Sequence, residues 1–143
     1  VRSFNDVSLP GTRIEKGIDI EPRIPCFIVK KNQILLSVSD KEFHFVMEDD
    51  ISKIFRLLHH YKIKVNMIQN SAISFSVCIE DNFDNFNKFL KVLRPQFKVL
   101  YNEGLTLYTI RHFDSKAREE IKDVQEVLLE QRSRETLQLI VKK

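Results

Sequence analysis

Residues 64–80, KVNMIQNSAISFSVCIE, contain two strand patterns joined by a polar turn. In the second half, apolar side chains alternate with small or polar ones: Ile73, Phe75, Val77 and Ile79 against Ser74, Ser76 and Cys78. A period of two is typical of a half-buried strand. Because Asn70 and Ser71 favour a turn, this stretch predicts an antiparallel hairpin with one apolar and one more polar face.

One amphipathic helix is predicted on each side of this hairpin. Before it, apolar residues recur every three or four positions, at Ile51, Ile54, Phe55, Leu58 and Tyr61. After it, the same spacing occurs at Phe83, Phe86, Phe89, Leu90 and Leu93. Such spacing indicates a helix with one buried face. Asp49 and Asp50 are candidate caps for the first helix and Asp84 for the second, which we expect to stop before Pro95.

Two further strands complete the unit. Residues 33–38 and 97–101 read as strands outside the two helices, and the order becomes β-α-β-β-α-β. This order predicts an α+β, ferredoxin-like module, in which both helices cover one face of a four-stranded antiparallel sheet.

A shorter second unit follows. Residues 105–110 predict a strand, 115–121 a short helix, and 127–131 with 136–141 a hairpin around Ser133. Three strands over one short helix bury little core. Residues 24–30 form a strand that the first module does not need, so we expect the second unit to borrow it. The prediction is a first module, 32–103, inserted into a shortened second module, 24–31 plus 104–143.

Residues 1–23 hold the turn-forming Pro10, Gly11, Gly17 and Pro22, and predict a linker from an upstream domain. The start at Val1, without an initiator Met, suggests a piece of a longer protein. No apolar run approaches the roughly 20 residues of a membrane helix. Cys26 and Cys78 are far apart, which favours free thiols in the cytoplasm. The net charge of +3 is thinly spread, so nucleic-acid binding is not expected.

Catalytic and metal-binding patterns are not found in the sequence. The three glycines are isolated, so no phosphate-binding turn is expected. The four histidines, His44, His59, His60 and His112, are scattered, which argues against a metal site. We therefore predict no catalytic residue, no metal and no cofactor within this chain.

The junction between the first strand and the first helix is the best candidate site. In a β-α-β-β module it lies beside the end of the neighbouring strand, where free helix N–H groups can hold a carboxylate. We expect Met47, Glu48 and Asp49, next to Phe45, on one side. The other side would hold residues of the second strand and its turn: Val65, Asn66, Gln69, Asn70 and Ser71.

This arrangement suits an amino-acid ligand. Asn66 and Gln69 carry amides that both donate and accept hydrogen bonds, and Glu48 or Asp49 could pair with an ammonium group. The spacing alone also fits a purely structural interpretation. In that interpretation, Asp49 and Asp50 only cap the helix and Asn70-Ser71 only forms a turn.

Four segments together resemble aspartate kinases. Residues 1–4 with Pro10-Gly11-Thr12 resemble the junction after the catalytic domain of that family, and residues 31–36 (KNQILL) its entry into the first ACT module. Residues 65–71 (VNMIQNS) are similar to the effector-loop segment, and residues 103–105 (EGL) to the start of the second ACT module. The resemblance covers nearly the whole chain in order.

The resemblance implies a regulatory domain with two ACT modules that senses lysine or threonine and controls phosphorylation of aspartate by ATP. It implies a homodimer through the ACT modules and an upstream catalytic domain, which would hold ATP and Mg. Carried over by position, the effector residues would be Met47, Glu48, Asp49, Val65, Asn66, Ser71 and Ala72. The alternatives are a structural dimerisation module with a degenerate effector site, and a ferredoxin-like nucleic-acid binder.

Overall fold

In the computed structural model, residues 24–42, 44–122 and 126–142 are described, and the predicted linker 1–23 lies outside them. The described residues form six strands and three helices. In chain order these are β1 Cys26–Ser39, α1 Glu48–His60, β2 Lys64–Asn70, β3 Ser74–Glu80, α2 Phe86–Leu93, β4 Lys98–Arg111, α3 Ser115–Lys122, β5 Glu126–Arg132 and β6 Thr136–Lys142.

The six strands form one antiparallel sheet in the order β2-β3-β1-β4-β6-β5. Residues 34–39 of β1 pair with β3, and residues 98–102 of β4 pair with the same part of β1. These pairings give the first half of the sheet the ferredoxin-like order. In the second half, residues 26–30 pair with 107–111, as expected for the borrowed strand. The predicted α+β class with two interleaved modules is confirmed.

The sequence suggested breaks in β1 and β4 that the structure does not have. The break between the predicted strands 24–30 and 33–38 is a bulge within β1, where Asn32 has φ 57° and the register with β4 shifts. The predicted strand end at residues 102–104 is likewise a bulge in β4, at Gly104 with φ 67°. A single left-handed residue bends a strand without reversing it, so both strands continue from one module into the other.

Each half of the sheet has its own core against its helices. Phe75, Val77 and Ile79 of β3 are buried with α1 and α2, as their alternation predicts. In the second half, Leu137, Leu139 and Val141 are buried with Ala117 of α3.

The opposite face of the sheet is not the open polar surface that the sequence suggested. Leu35 and Cys78 of the first half share a buried cluster there with Leu105, Leu107 and Ile140 of the second. The side-chain Nε2 of Gln131, on β5, also donates a 3.0 Å hydrogen bond to the carbonyl oxygen of Ile68, on β2. Since β2 and β5 lie at the two ends of the strand order, the sheet bends back on itself and the modules pack together.

The start of α2 differs in two respects from the prediction. Phe83 was predicted to lie on the buried face of the helix, which is wrong, because the helix begins at Phe86 and Phe83 is 62% exposed. Asp84 does not cap α2: it has φ 57° and is exposed. Instead, the carboxylate of Asp81 accepts the N–H groups of Asn85 (3.0 Å) and Phe86 (2.9 Å). The helix ends at Leu93, before Pro95, as predicted.

Candidate functional site

The start of α1 and the β2–β3 turn are joined by one backbone contact. The N–H of Val46 donates a 3.1 Å hydrogen bond to the carbonyl oxygen of Ala72. This contact holds the two predicted sides of the site together. Six of the nine predicted residues lie there and are exposed: Met47, Glu48, Asp49, Asn70, Ser71 and Ala72.

The helix side of this junction carries negative charge. Met47 precedes the first helical residue, and its carbonyl accepts the N–H groups of Asp50 (3.1 Å) and Ile51 (3.2 Å). The carboxylate of Asp50 in turn accepts the N–H of Met47 at 3.1 Å, so Asp50 does act as a capping residue. Glu48 and Asp49 lie beside it in the first turn, where the positive end of the helix dipole favours carboxylates.

The loop that leads into α1 is folded around Asp40. Its Oδ2 atom accepts the backbone N–H groups of Glu42 (3.1 Å) and His44 (3.2 Å), and lies 3.1 Å from Nδ1 of His44. The hydrogen bond from the His44 backbone N–H is the main cause that lowers the pKa of this carboxyl below its ordinary value. Asp40 therefore stays ionised and keeps the loop in place.

The turn side is held by Ser71. Its N–H donates to the carbonyl of Ser74 at 2.9 Å, and the two hydroxyl oxygens are 2.8 Å apart. The turn thus presents Asn70, Ser71 and Ala72 to solvent beside the acidic start of α1. A free amino acid needs acceptors for its ammonium group and donors for its carboxylate. The junction offers both, because carboxylates accept hydrogen bonds and the hydroxyl, amide and backbone N–H groups donate them.

The other three predicted residues lie along β2, Val65 and Asn66 near its start and Gln69 next to Asn70. Val65 packs against the core of the first module. The side-chain amide of Asn66 accepts a hydrogen bond from Lys30 through Oδ1 and donates to Gln33 and Glu80 through Nδ2. The Oε1 atom of Gln69 is buried and has no hydrogen-bond partner among the described residues. The structure therefore gathers six of the predicted residues at the junction and distributes three along the strand.

Exposed apolar side chains flank the same junction. Phe45, Met47 and Ile73 are 67%, 56% and 51% exposed. The strand alternation predicted Ile73 to be buried, which is wrong, because β3 begins at Ser74 and Ile73 belongs to the turn. A group of exposed apolar residues of this kind is typical of a contact surface.

The second module repeats the junction. The N–H of His112, just before α3, donates to the carbonyl of Glu135 at 2.6 Å, and Ser133 bonds to the carbonyl of Thr136 as Ser71 does to that of Ser74. The side-chain environment differs, because Arg132 lies over the ring of Phe113 at 4.9 Å. The two turns share only a serine, so the equivalence follows from the order of the elements and not from a local match of sequence.

Within residues 24–42, 44–122 and 126–142, no group of three His, Cys, Asp or Glu side chains is placed to hold a metal ion. No helix in the same ranges is long and apolar enough to cross a membrane.

The sequence matches no protein-family model and no curated protein. Solved structures do match. A structure from Porphyromonas gingivalis W83, provisionally described as a C-terminal regulatory domain of aspartate kinase, superposes with a TM-score of 0.66 at 21% identity. The match covers 83% of this chain and 86% of that one. The chain has the fold of aspartate kinase regulatory domains.

Two further structures agree. Escherichia coli aspartokinase III, in complex with lysine and aspartate, matches with a TM-score of 0.65 at 18% identity, over 86% of this chain but only 31% of that enzyme. The ligand-free regulatory subunit of aspartate kinase from Thermus thermophilus matches with a TM-score of 0.57 at 12% identity, over 85% of this chain and 89% of that one. The match therefore spans less than a third of the E. coli enzyme but most of the Thermus thermophilus regulatory subunit.

Proposed function

We propose that this chain is the amino-acid-sensing regulatory domain of an aspartate kinase, which exerts feedback control by lysine or threonine over phosphorylation of aspartate by ATP. The observation that carries the proposal is the Val46–Ala72 hydrogen bond, which brings an acidic helix start against a polar turn. The likeness of the fold to a C-terminal regulatory domain of aspartate kinase, and to part of an aspartokinase solved in complex with lysine and aspartate, supports it. ATP and Mg would belong to a separate catalytic domain.

In the proposed site, the ligand ammonium group pairs with Glu48 or Asp49. The ligand carboxylate takes hydrogen bonds from the turn around Ser71. Opposite charges on one small ligand would thus meet opposite sides of the junction, which selects for a zwitterion over a simple acid or amine.

Isothermal titration of the chain with lysine, threonine and methionine tests this proposal. We expect heat with lysine or threonine and a matching rise in stability, about 2.7 kcal/mol at a hundredfold excess over Kd. Ser71→Ala should weaken binding. Its matched control is Ser133→Ala, because each serine hydroxyl donates to a carbonyl across its turn at 3.2 Å. No heat with any of the three amino acids would refute amino-acid sensing.

The second candidate function is a dimerisation module with a degenerate effector site. It is favoured by the exposed Phe45, Met47 and Ile73 at the junction. Sedimentation separates the two functions. A dimer that forms without ligand, is lost in Phe45→Ser with Ile73→Ser, and takes up no amino acid would support the structural role. A homodimer that also binds an effector would combine both.

A further inference from the structure

The side-chain amide of Asn66 is held at both ends by residues of the β1 bulge. Its Oδ1 accepts a 2.9 Å hydrogen bond from Nζ of Lys30, and its Nδ2 donates a 2.7 Å hydrogen bond to Oε1 of Gln33. The Nε2 of Gln33 donates in turn to the carbonyl oxygen of Lys31 at 3.1 Å, which fixes its Oε1 as the acceptor. The two ends of one amide are therefore bonded to two residues that lie three positions apart in one strand.

The bulge is what allows Lys30 and Gln33 to act together. In a regular strand, residues three positions apart point to opposite faces of the sheet. Between these two residues the register with β4 shifts, and Asn32 has φ 57°. The extra residue of a bulge changes the direction of the side chains that follow it, so both residues reach the same amide.

Only one orientation of the amide satisfies all of its neighbours. Besides Gln33, the Nδ2 of Asn66 faces a carboxylate, because it donates at 3.3 Å to Oε2 of Glu80. An ammonium group can only donate and a carboxylate can only accept. Rotation of the amide by 180° would turn its NH2 group toward Lys30 and its oxygen toward Glu80, and both charged contacts would be lost. The Lys30 ammonium group therefore fixes which end of the amide points in which direction.

We infer that Lys30 is a positioning residue of the amino-acid site, which acts by holding the predicted ligand contact Asn66 in one orientation. The inference rests on the proposed function. Lys30 belongs to residues 26–30, which pair with 107–111 of the second module, whereas Asn66 belongs to the first. A side chain of one module thus prepares the site of the other. A side chain that is held in place before the ligand arrives loses less freedom on binding, which increases the affinity.

NMR of the side-chain amide in the ligand-free chain tests the positioning. We compare Lys30→Met, which removes the donor to Oδ1 of Asn66, with Lys30→Arg, which restores a charged donor. The matched control is Lys31→Met, which removes the same charge from the exposed next residue. Loss of one hydrogen bond predicts about fivefold faster exchange of the Asn66 NH2 protons with water in Lys30→Met, and wild-type exchange in the other two variants. Unchanged exchange in Lys30→Met, or an equal change in Lys31→Met, would overturn the inference.

Titration of the same variants with lysine and threonine tests the consequence for binding. Lys30→Met should raise the Kd of the amino acid that binds the wild-type chain about fivefold, and Lys30→Arg should restore most of the affinity. In an Asn66→Ala background, Lys30→Met should have no further effect, because Lys30 acts through that amide. The same fivefold loss in that background would show that Lys30 acts on the ligand by its own charge, against the inference. If neither amino acid binds the wild-type chain, the proposed function is refuted, and the proton exchange of Asn66 still decides whether Lys30 positions it.

Discussion

The N–H of Val46 donates to the carbonyl oxygen of Ala72, and the N–H of His112 donates to that of Glu135 in the equivalent place of the second module. Each contact attaches the start of a helix to a hairpin turn. The residues that follow differ: α1 begins with three acidic residues, whereas α3 begins with Ser115 and Lys116. The two junctions therefore have the same backbone hydrogen bond but differ in the charge of the helix start. Only the first favours a cationic ligand.

Removal of this charge should reduce lysine binding more than threonine binding. Lysine has a second ammonium group, so we expect Glu48→Gln with Asp49→Asn to raise its Kd about fivefold more than that of threonine, since exposed ion pairs are weak. Titration calorimetry at low salt measures both constants. Glu103→Gln, an exposed carboxylate in the β4 bulge, serves as the charge control. Equal losses for the two amino acids would contradict a role for these carboxylates in recognising the lysine side chain.

Asp81 should contribute to stability and Asp84 should not. Asp81→Ala removes the acceptor for two N–H groups at the start of α2 and should lower the free energy of unfolding by about 1 kcal/mol. Asp84→Gly should be neutral or stabilising, because a residue with φ 57° is better served by glycine. Urea denaturation of both variants measures the difference, and a larger loss for Asp84→Gly would contradict the assignment of the cap.

Gly104 should be sensitive for a conformational reason. Its φ is 67°, and a Cβ atom added there would meet nothing within 4 Å. Gly104→Ala should therefore cost about 1 kcal/mol through backbone strain and not through a clash. Denaturant unfolding, with Glu103→Ala as the neighbouring control, checks this value. If Gly104→Ala were as stable as the parent chain, the bulge would have to relax to negative φ.

The two thiols should react at very different rates. Cys26 is exposed, whereas burial raises the pKa of Cys78 from its ordinary value of 9.0 to about 12, an effect that nearby Lys30 partly opposes. At about pH 8, Ellman's reagent should modify Cys26 quickly and Cys78 only on unfolding, because the thiolate is the reactive form. Two fast thiols in the folded chain would contradict this. Cys26→Ser should remove the fast phase.

The same shift predicts how stability depends on pH. The folded state holds the Cys78 proton more tightly than the unfolded state, so this contribution is complete below pH 9 and is lost as the pH rises from 9 toward 12. The difference in unfolding free energy between the parent chain and Cys78→Ala should therefore shrink above pH 9. A difference independent of pH over that range would show that the thiol ionises equally in both states.

Local patterns were sufficient for most of the fold. The alternation in β3 and the three-and-four spacing in α1 and α2 follow the buried side chains. Ile73 and Phe83 are the exceptions, because each precedes its element and is exposed. Left-handed residues were harder to interpret. The sequence predicted separate strands on either side of Asn32 and of Gly104, but each of these residues forms a bulge in a continuous strand, because the long-range pairing of β1 with β4 outweighs a local preference for a turn.

The candidate site was only partly accessible to sequence reasoning. Topology places the start of α1 beside the β2–β3 turn, so the six residues around the Val46–Ala72 contact could be anticipated. The partners of Asn66 could not. Lys30 and Gln33 lie 36 and 33 positions away, and no local pattern relates a strand residue to a bulge at that separation.

By itself the sequence determined the order of helices and strands, the apolar faces, and the need for residues 24–30 to complete a second sheet, because these follow from periodicity and from the number of strands a core requires. Only the tertiary structure decided that one continuous sheet bends back on itself, that Asp81 and not Asp84 caps α2, and that Asn66 bonds to Gln33. These features depend on backbone angles or on contacts between side chains that are distant in sequence. Neither produces a periodic pattern of residues from which it could be predicted.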